Sequence, residues 1–177
     1  GLGAIKDSSI GTVTERVIRR IQTDTLIIKY LPELHGERAS SGKIVVAVDG
    51  SGHSFGCLKT GIELGKILNR PLEVISSFDP YFHYAMFNSL TGVLSKDASK
   101  VFKFEQQEKL HEDIIDKGLA KIYQAHLEIS RNIVQEEGLD CTIRLLDGKV
   151  FEKVLQYARE ENPFLLILGR IGVHSGQ

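Results

Sequence analysis

A short apolar run followed by an acidic turn constrains the fold of this chain more than any other feature. Residues 44–48 are five consecutive apolar residues, IVVAV, and Asp49-Gly50-Ser51 follows them before a helical pattern. A short run rich in β-branched residues is typical of a strand buried on both faces, as in a parallel sheet covered by helices. Such sheets bind ligands at the carboxyl ends of their strands. The pattern therefore predicts a site around Asp49, although turns and helix starts also favour aspartate.

The rest of the chain alternates helical and strand patterns, which is typical of a parallel sheet with helices on both faces. We expect an open five-stranded parallel sheet of order 3-2-1-4-5, with residues 25–30 as the edge strand beside residues 164–168. Without that partner, the apolar fourth strand would have an unpaired edge. The other predicted strands are residues 72–77 and 139–146, and the predicted helices are residues 54–69, 105–137 and 150–158.

Two segments do not fit this alternation. An N-terminal helix is predicted after Gly11-Thr12, and a linker with proline, glycine and serine is predicted at residues 31–42. Residues 78–104 hold seven of the thirteen Phe and Tyr residues and are predicted to be an insertion. The insertion forms a partner or self-association surface, or it only caps the core.

Charge and cysteine content exclude several classes of partner. Lys and Arg number 22 against 23 Asp and Glu, with the signs interspersed, so no net field favours nucleic acid or a membrane surface. The two cysteines have no disulfide or zinc spacing, which favours a reducing compartment. No apolar run approaches the roughly 18 residues of a membrane helix. We therefore expect a cytoplasmic protein.

Glycines mark two further candidate parts of the site. Gly169 and Gly172 form a G-x-x-G turn after a predicted strand, where the backbone could approach a ligand closely, or they simply end the strand. Gly11-Thr12 precedes a predicted helix and offers N–H groups and a hydroxyl suited to phosphate, or Thr12 is only the N-cap. His126 lies on the apolar stripe of the long helix and is interpreted as a packed residue rather than a ligand.

These motifs resemble those of the universal stress protein family. KIVVAVDGSGHS at residues 43–54 is similar to the family's first strand and turn, and FLLILGRIG at residues 164–172 to its fourth strand and first glycines. Residues 10–30 are similar to its last helix and fifth strand, which here come first. We therefore interpret residues 1–30 as the C-terminal helix and strand of a preceding stress-protein domain, joined by the linker to residues 43–177. That second part would be a universal stress protein domain without its own last helix and strand.

The resemblance implies an adenine nucleotide α-hydrolase-like fold whose last helix and strand are supplied by the N-terminal segment, in the same chain or a second copy. It implies that ATP binds, with or without Mg²⁺. The adenine and ribose would lie near Asp49 and Ser77. The other residues that it implies are Leu168, Gly169 and Gly172 along the nucleotide, and Gly11, Thr12 and Val13 at its phosphates. Ser51 and Ser54 touch the ligand or cap the helix, and capping is favoured.

The leading functional hypothesis is an ATP-binding regulator of the stress response that is not an enzyme. The sequence contains no H-E-x-x-H or G-x-S-x-G motif, and its six histidines are scattered. The alternatives are a weak ATP hydrolase and a nucleotide-free module for dimerisation or interaction. We expect a homodimer or swapped dimer, and a regulatory protein partner that the sequence does not identify.

Overall fold

The computed structural model describes residues 10–28, 42–79 and 104–172. The chain divides into two compact units, residues 1–39 and 40–177, and each is described by itself. Most of the predicted linker, at residues 31–42, and most of the predicted aromatic insertion, at residues 78–104, lie outside the described residues.

The N-terminal unit contains helix α1 (Thr12–Ile18), at the place that the sequence predicts. Residues 24–28 have no regular secondary structure, so the strand predicted at residues 25–30 is wrong for its described part. A strand forms only where a partner completes its backbone hydrogen bonds, and the apolar pattern of Leu26 and Ile28 does not specify that partner. Both side chains are exposed.

The larger unit is built on one parallel sheet of order β3-β2-β1-β4. This order confirms the predicted arrangement of the first four strands, but the described residues form four strands rather than five. The elements after α1 are, in chain order, β1 (Ile44–Ala47), α2 (Gly52–Leu68), β2 (Leu72–Phe78), α3 (Phe104–Glu136), β3 (Cys141–Asp147), α4 (Val150–Glu161) and β4 (Leu165–Ile167).

The strand register aligns the carboxyl ends of all four strands at one edge of the sheet. Val46, near the end of β1, lies beside Val74 of β2 and Ile167, the last residue of β4. Phe78, the last residue of β2, pairs with Asp147, the last residue of β3. The segments that follow β1 and β4, which carry Asp49 and the two glycines of the G-x-x-G turn, therefore emerge at the same edge.

Burial of the strands follows their position in the sheet. The central strands β1 and β2 are buried almost throughout, as the apolar run of β1 predicts. One face packs under α2 and α3, with Val46, Leu58 and Leu127 in its core. The opposite face packs under α4 through Tyr157. The strand β3 instead alternates between partly buried and mostly exposed residues, so the core lies over the middle of the sheet.

Helix α3 is much longer than the sheet that it covers. Its 33 residues extend for about 50 Å at 1.5 Å per residue, whereas the seven residues of β2 span roughly 23 Å. The buried Leu127, Ser130 and Val134 belong to its C-terminal half. That half therefore packs on the sheet, and the helix continues past the edge that carries Asp49. No helix among the described residues is both long and apolar enough to cross a membrane.

Candidate functional site

The turn after β1 holds Asp49 in a fixed conformation. Its Oδ1 atom accepts hydrogen bonds from the backbone N–H of Ser51 at 2.9 Å and from the Ser51 hydroxyl at 2.6 Å. Gly50 has a φ of +84°, a left-handed conformation that favours glycine. The sequence thus places a carboxylate and a helix N-terminus at the carboxyl edge of the sheet, as predicted.

Ser51 and Ser54 cap helix α2. Ser51 is the N-cap residue, and its hydroxyl accepts a hydrogen bond from the Ser54 N–H at 3.2 Å. The Ser54 hydroxyl donates to the Ser51 carbonyl at 2.8 Å. The capping role that the sequence favours for these serines is therefore confirmed.

The G-x-x-G turn after β4 meets the Asp49 turn at Gly172. A β-carbon placed on Gly172 would lie 3.1 Å from Asp49 Oδ2. A β-carbon on Gly169 would have ordinary contacts, at 3.7 Å from the Ile171 carbonyl oxygen and 3.8 Å from Cys57 Sγ. Leu168, between β4 and this turn, is exposed. The structure therefore brings together Asp49 and Gly172, two of the predicted site residues that are far apart in sequence.

Ser77 lies near the same edge, but its side chain is already engaged. It is buried, and its hydroxyl donates to the Gly148 carbonyl at 3.1 Å, which ties the end of β2 to the turn before α4. The neighbouring Ser76 hydroxyl donates to the Val48 carbonyl at 2.6 Å. These serines join adjacent strands at the edge of the sheet.

The three predicted phosphate residues belong to the N-terminal unit. Gly11 is the N-cap of α1, Thr12 is its first helical residue and Val13 is exposed. The alternative interpretation of Thr12 as the N-cap is wrong, because the helix begins one residue earlier than that interpretation requires. Their predicted contact with phosphate stays a prediction.

Three aromatic rings at this edge were not predicted as site residues. The ring of Tyr123 on α3 lies 6.3 Å from the Phe78 ring and 6.0 Å from the His126 ring, measured between centroids. The His126 ring lies against Gly50, where a β-carbon would be 2.5 Å from its Nδ1 atom and 2.8 Å from its Nε2 atom. His126 is packed as predicted, against Gly50 and Tyr123, but it is only partly buried and lies outside both core clusters. Its partner could not be read from the helix pattern, because that partner lies on the turn after β1.

Burial raises the pKa of one tyrosine at this edge and of one cysteine elsewhere in the sheet. Burial, and next the charge of Asp49, raise the pKa of Tyr123, so its phenol stays protonated at neutral pH. Elsewhere in the sheet, burial raises the pKa of Cys141 to about 11, which keeps that thiol protonated and unreactive. Within residues 10–28, 42–79 and 104–172, no group of three or more His, Cys, Asp or Glu residues is arranged to hold a metal ion.

The fold is that of an open parallel α/β protein, a class whose ligands bind at the carboxyl edge of the sheet, and here an acidic turn and a glycine turn meet at that edge. A model of the universal stress protein family matches residues 41–176. Since the match covers most of the chain, this protein belongs to the universal stress protein family.

Solved structures support the same fold at low sequence identity. UspA from Lactobacillus plantarum is 14% identical with a TM-score of 0.55, over 78% of this chain and 83% of that one. A family member from Burkholderia pseudomallei is 18% identical with a TM-score of 0.52, over 73% of this chain and 81% of that one. No curated protein matches the sequence significantly.

Proposed function

We propose that this protein binds an adenine nucleotide, with ATP as the ligand, and acts in the stress response as a regulator rather than as an enzyme. The observation that carries the proposal is the proximity of Gly172 to Asp49. A β-carbon placed on Gly172 would lie 3.1 Å from the Asp49 carboxylate. The family resemblance assigns these two residues to one nucleotide site. Each of them follows a different strand of the sheet.

The chemistry of this edge suits a nucleotide. The Asp49 carboxylate can accept hydrogen bonds from ribose hydroxyl or adenine amino groups. At Gly172 the absence of a side chain leaves the backbone accessible to the ligand. The N-terminus of α2 adds a positive dipole end beside the same turn. We extend the proposal to an adenine nucleotide α-hydrolase-like fold and to Leu168, Gly169 and Ser77 as further residues that line the nucleotide.

Calorimetric titration of ATP into an Asp49→Asn variant tests the site. Asparagine keeps the Oδ1 acceptor that Ser51 uses, so the turn is preserved while the charge is removed. We expect about threefold to tenfold weaker binding, since a lost hydrogen bond contributes about 0.5–1.5 kcal/mol. Asp140→Asn is the matched control, because Asp140 lies before β3 at the opposite edge. Equal ATP affinity for Asp49→Asn and the wild type would contradict the site.

The regulatory role is tested by incubating the protein with ATP, with and without Mg²⁺, and measuring ADP, AMP and pyrophosphate. We expect ATP to stay bound without steady turnover, because the sequence contains no H-E-x-x-H or G-x-S-x-G motif. Steady turnover that is lost in Asp49→Asn would instead make the protein a hydrolase.

A second candidate function is self-association without nucleotide, as a homodimer. The observation that favours it is an apolar patch on α4, where Phe151 is 71% exposed and Val150 and Leu155 are also exposed. Exposed patches of this kind often mark interfaces. Sedimentation of the wild type and of Phe151→Ser tests this role. A dimer that dissociates in the variant supports it, and a wild-type monomer at all concentrations overturns it.

A further inference from the structure

The imidazole of His126 occupies the space directly above the turn that carries Asp49. All three atoms of its outer ring edge, Nδ1, Cε1 and Nε2, lie where they would clash with a β-carbon on Gly50. Gly50 separates Asp49 from Ser51, the two residues whose hydrogen bonds fix the carboxylate. The ring therefore lies against the backbone that orients the carboxylate, although it belongs to a different element.

The part of α3 that carries this ring is firmly held. Leu127, the next residue, is fully buried, and the Ser130 hydroxyl donates to the His126 carbonyl at 2.8 Å. The Tyr123 ring contacts the imidazole edge-on, with an interplanar angle of 72°. Because its backbone is held by Leu127 and Ser130 and its ring is contacted by Tyr123, the imidazole acts as a rigid support rather than as a mobile side chain.

The contact of His126 with the turn is steric. Its Nδ1 atom is buried without a hydrogen-bond partner among the described residues. The contact therefore depends on the shape of the ring rather than on a hydrogen bond, and a phenyl ring of similar size could make it.

We infer that His126 is a positioning residue of the nucleotide site. Its ring braces Gly50 from α3, keeps the Asp49–Ser51 turn in the conformation that presents the carboxylate, and so makes nucleotide affinity depend on the placement of α3. This inference rests on the proposed function for its effect on the nucleotide, whereas the brace itself is a property of the protein without ligand.

Three variants separate the brace from general packing. His126→Ala removes the ring, and His126→Phe keeps a ring without nitrogens. Ile129→Ala is the matched control, because it removes an exposed side chain from the same helix. The first measurement, without ligand, is hydrogen exchange of the Ser51 and Ser54 amides, with the Val48 amide of the sheet as internal reference. The second is the ATP dissociation constant by calorimetry.

In His126→Ala we expect the Ser51 and Ser54 amides to exchange at least about fivefold faster relative to Val48, and ATP to bind about fivefold more weakly. In His126→Phe and Ile129→Ala both quantities should stay within about twofold of the wild type. A merely structural role would change all three amides together, so the exchange of Ser51 and Ser54 relative to Val48 would stay unchanged.

Two results would overturn the inference while leaving the proposed function intact. One is unchanged relative exchange of the turn in His126→Ala. The other is equal loss of ATP affinity in the alanine and phenylalanine variants, which would assign the effect to a ring nitrogen. Wild-type protein that binds no ATP would overturn the proposed function and the role of His126 in it, and the exchange data would still decide whether the brace exists.

Discussion

At the scale of single residues, the two glycines of the turn after β4 differ in what a side chain would meet. A methyl group at Gly172 would lie 3.1 Å from the Asp49 carboxylate, whereas one at Gly169 would have only ordinary contacts. We therefore expect Gly172→Ala to weaken ATP binding by about tenfold, equivalent to about 1.4 kcal/mol, and Gly169→Ala to weaken it less. Titration calorimetry compares them. Equal effects would show that proximity to Asp49 is not the cause.

The buried carboxylate of Glu73, on the face of the sheet that packs under α4, predicts that the stability of the protein depends on pH. Glu73 is only 2% exposed and pairs with Lys43 at 2.8 Å and with Arg144 at 3.3 Å. Burial alone would raise the pKa of Glu73. The hydrogen bond and charge of Lys43, the charge of Arg144 and other contacts outweigh burial, so the pKa lies below its usual 4.5. The pair therefore stabilises the fold fully above pH 4.5, and this contribution is lost as the pH falls through the folded-state pKa.

We expect Glu73→Gln to lower the free energy of unfolding by about 1–3 kcal/mol at pH 7, because two cations lose a charged partner. The difference from the wild type should shrink as the pH falls below 4.5. Urea denaturation from pH 7 to pH 3 measures it. Glu137→Gln is the control, since Glu137 pairs with Lys66 on the surface, where ion pairs contribute little. A difference that grows toward low pH would contradict this sign.

The sequence predicts which single residues reach the edge of the sheet better than it predicts what they contact. Asp49 and Gly172 were predicted from strand ends, and the alignment of parallel strands brings them together. The contact of His126 with Gly50 was not predicted, because helical periodicity shows that a residue faces inward without showing which turn it meets. The resemblance placed the adenine and ribose near Ser77, but it did not predict that the Ser77 hydroxyl donates to the Gly148 carbonyl.

At the scale of elements, α2 lies close enough to the sheet to require glycine at two positions. A β-carbon on Gly61 would lie 2.6 Å from Val46 Cγ2, and one on Gly65 would lie 2.5 Å from Leu72 Cδ1. Both neighbours are buried in the core and cannot move aside without disturbing other contacts. Close packing of α2 on β1 and β2 therefore depends on these glycines, although glycine is a poor helix former.

Substitution of two glycines within α2 separates helix propensity from packing. Gly56 has no atom within 4 Å of its β-carbon position, so Gly56→Ala should stabilise the protein by up to about 1 kcal/mol. Gly61→Ala should destabilise it by about 1–3 kcal/mol, because overpacking exceeds the gain in propensity. Thermal and urea unfolding measure both variants. Stabilisation by Gly61→Ala would mean that α2 lies farther from the sheet than the structure has it.

The elements that were predicted correctly carry their signal within one segment. Burial of β1 follows from its apolar composition, and α3 from a long apolar stripe. The edge strand at residues 25–30 was predicted instead because β4 would otherwise have an unpaired edge. An unpaired edge does not specify which segment pairs with it. Strand pairing is a property of two segments, and a pattern in one segment cannot establish it.

At the scale of the whole molecule, the core of the protein belongs to the second unit. The buried apolar residues of both core clusters lie between Ile44 and Tyr157, and the family match begins at residue 41. A chain that begins at Ser40 keeps all four described strands and the helices that pack on them. We therefore expect it to fold and to unfold cooperatively, as circular dichroism and urea denaturation would show.

The same truncation tests the predicted role of the N-terminal segment. The family resemblance assigns the phosphates to Gly11, Thr12 and Val13, so a chain without them should lose affinity for ATP more than for adenosine, which has no phosphate. We expect at least about tenfold weaker ATP binding with adenosine binding nearly unchanged, measured by calorimetry on the full chain and on the chain from Ser40. Full-length Thr12→Ala is the matched control for loss of the hydroxyl alone. Equal ATP affinity with and without the segment would confine the nucleotide site to residues 40–177. An equal loss of affinity for ATP and for adenosine would show that the truncation disturbs the Asp49 edge.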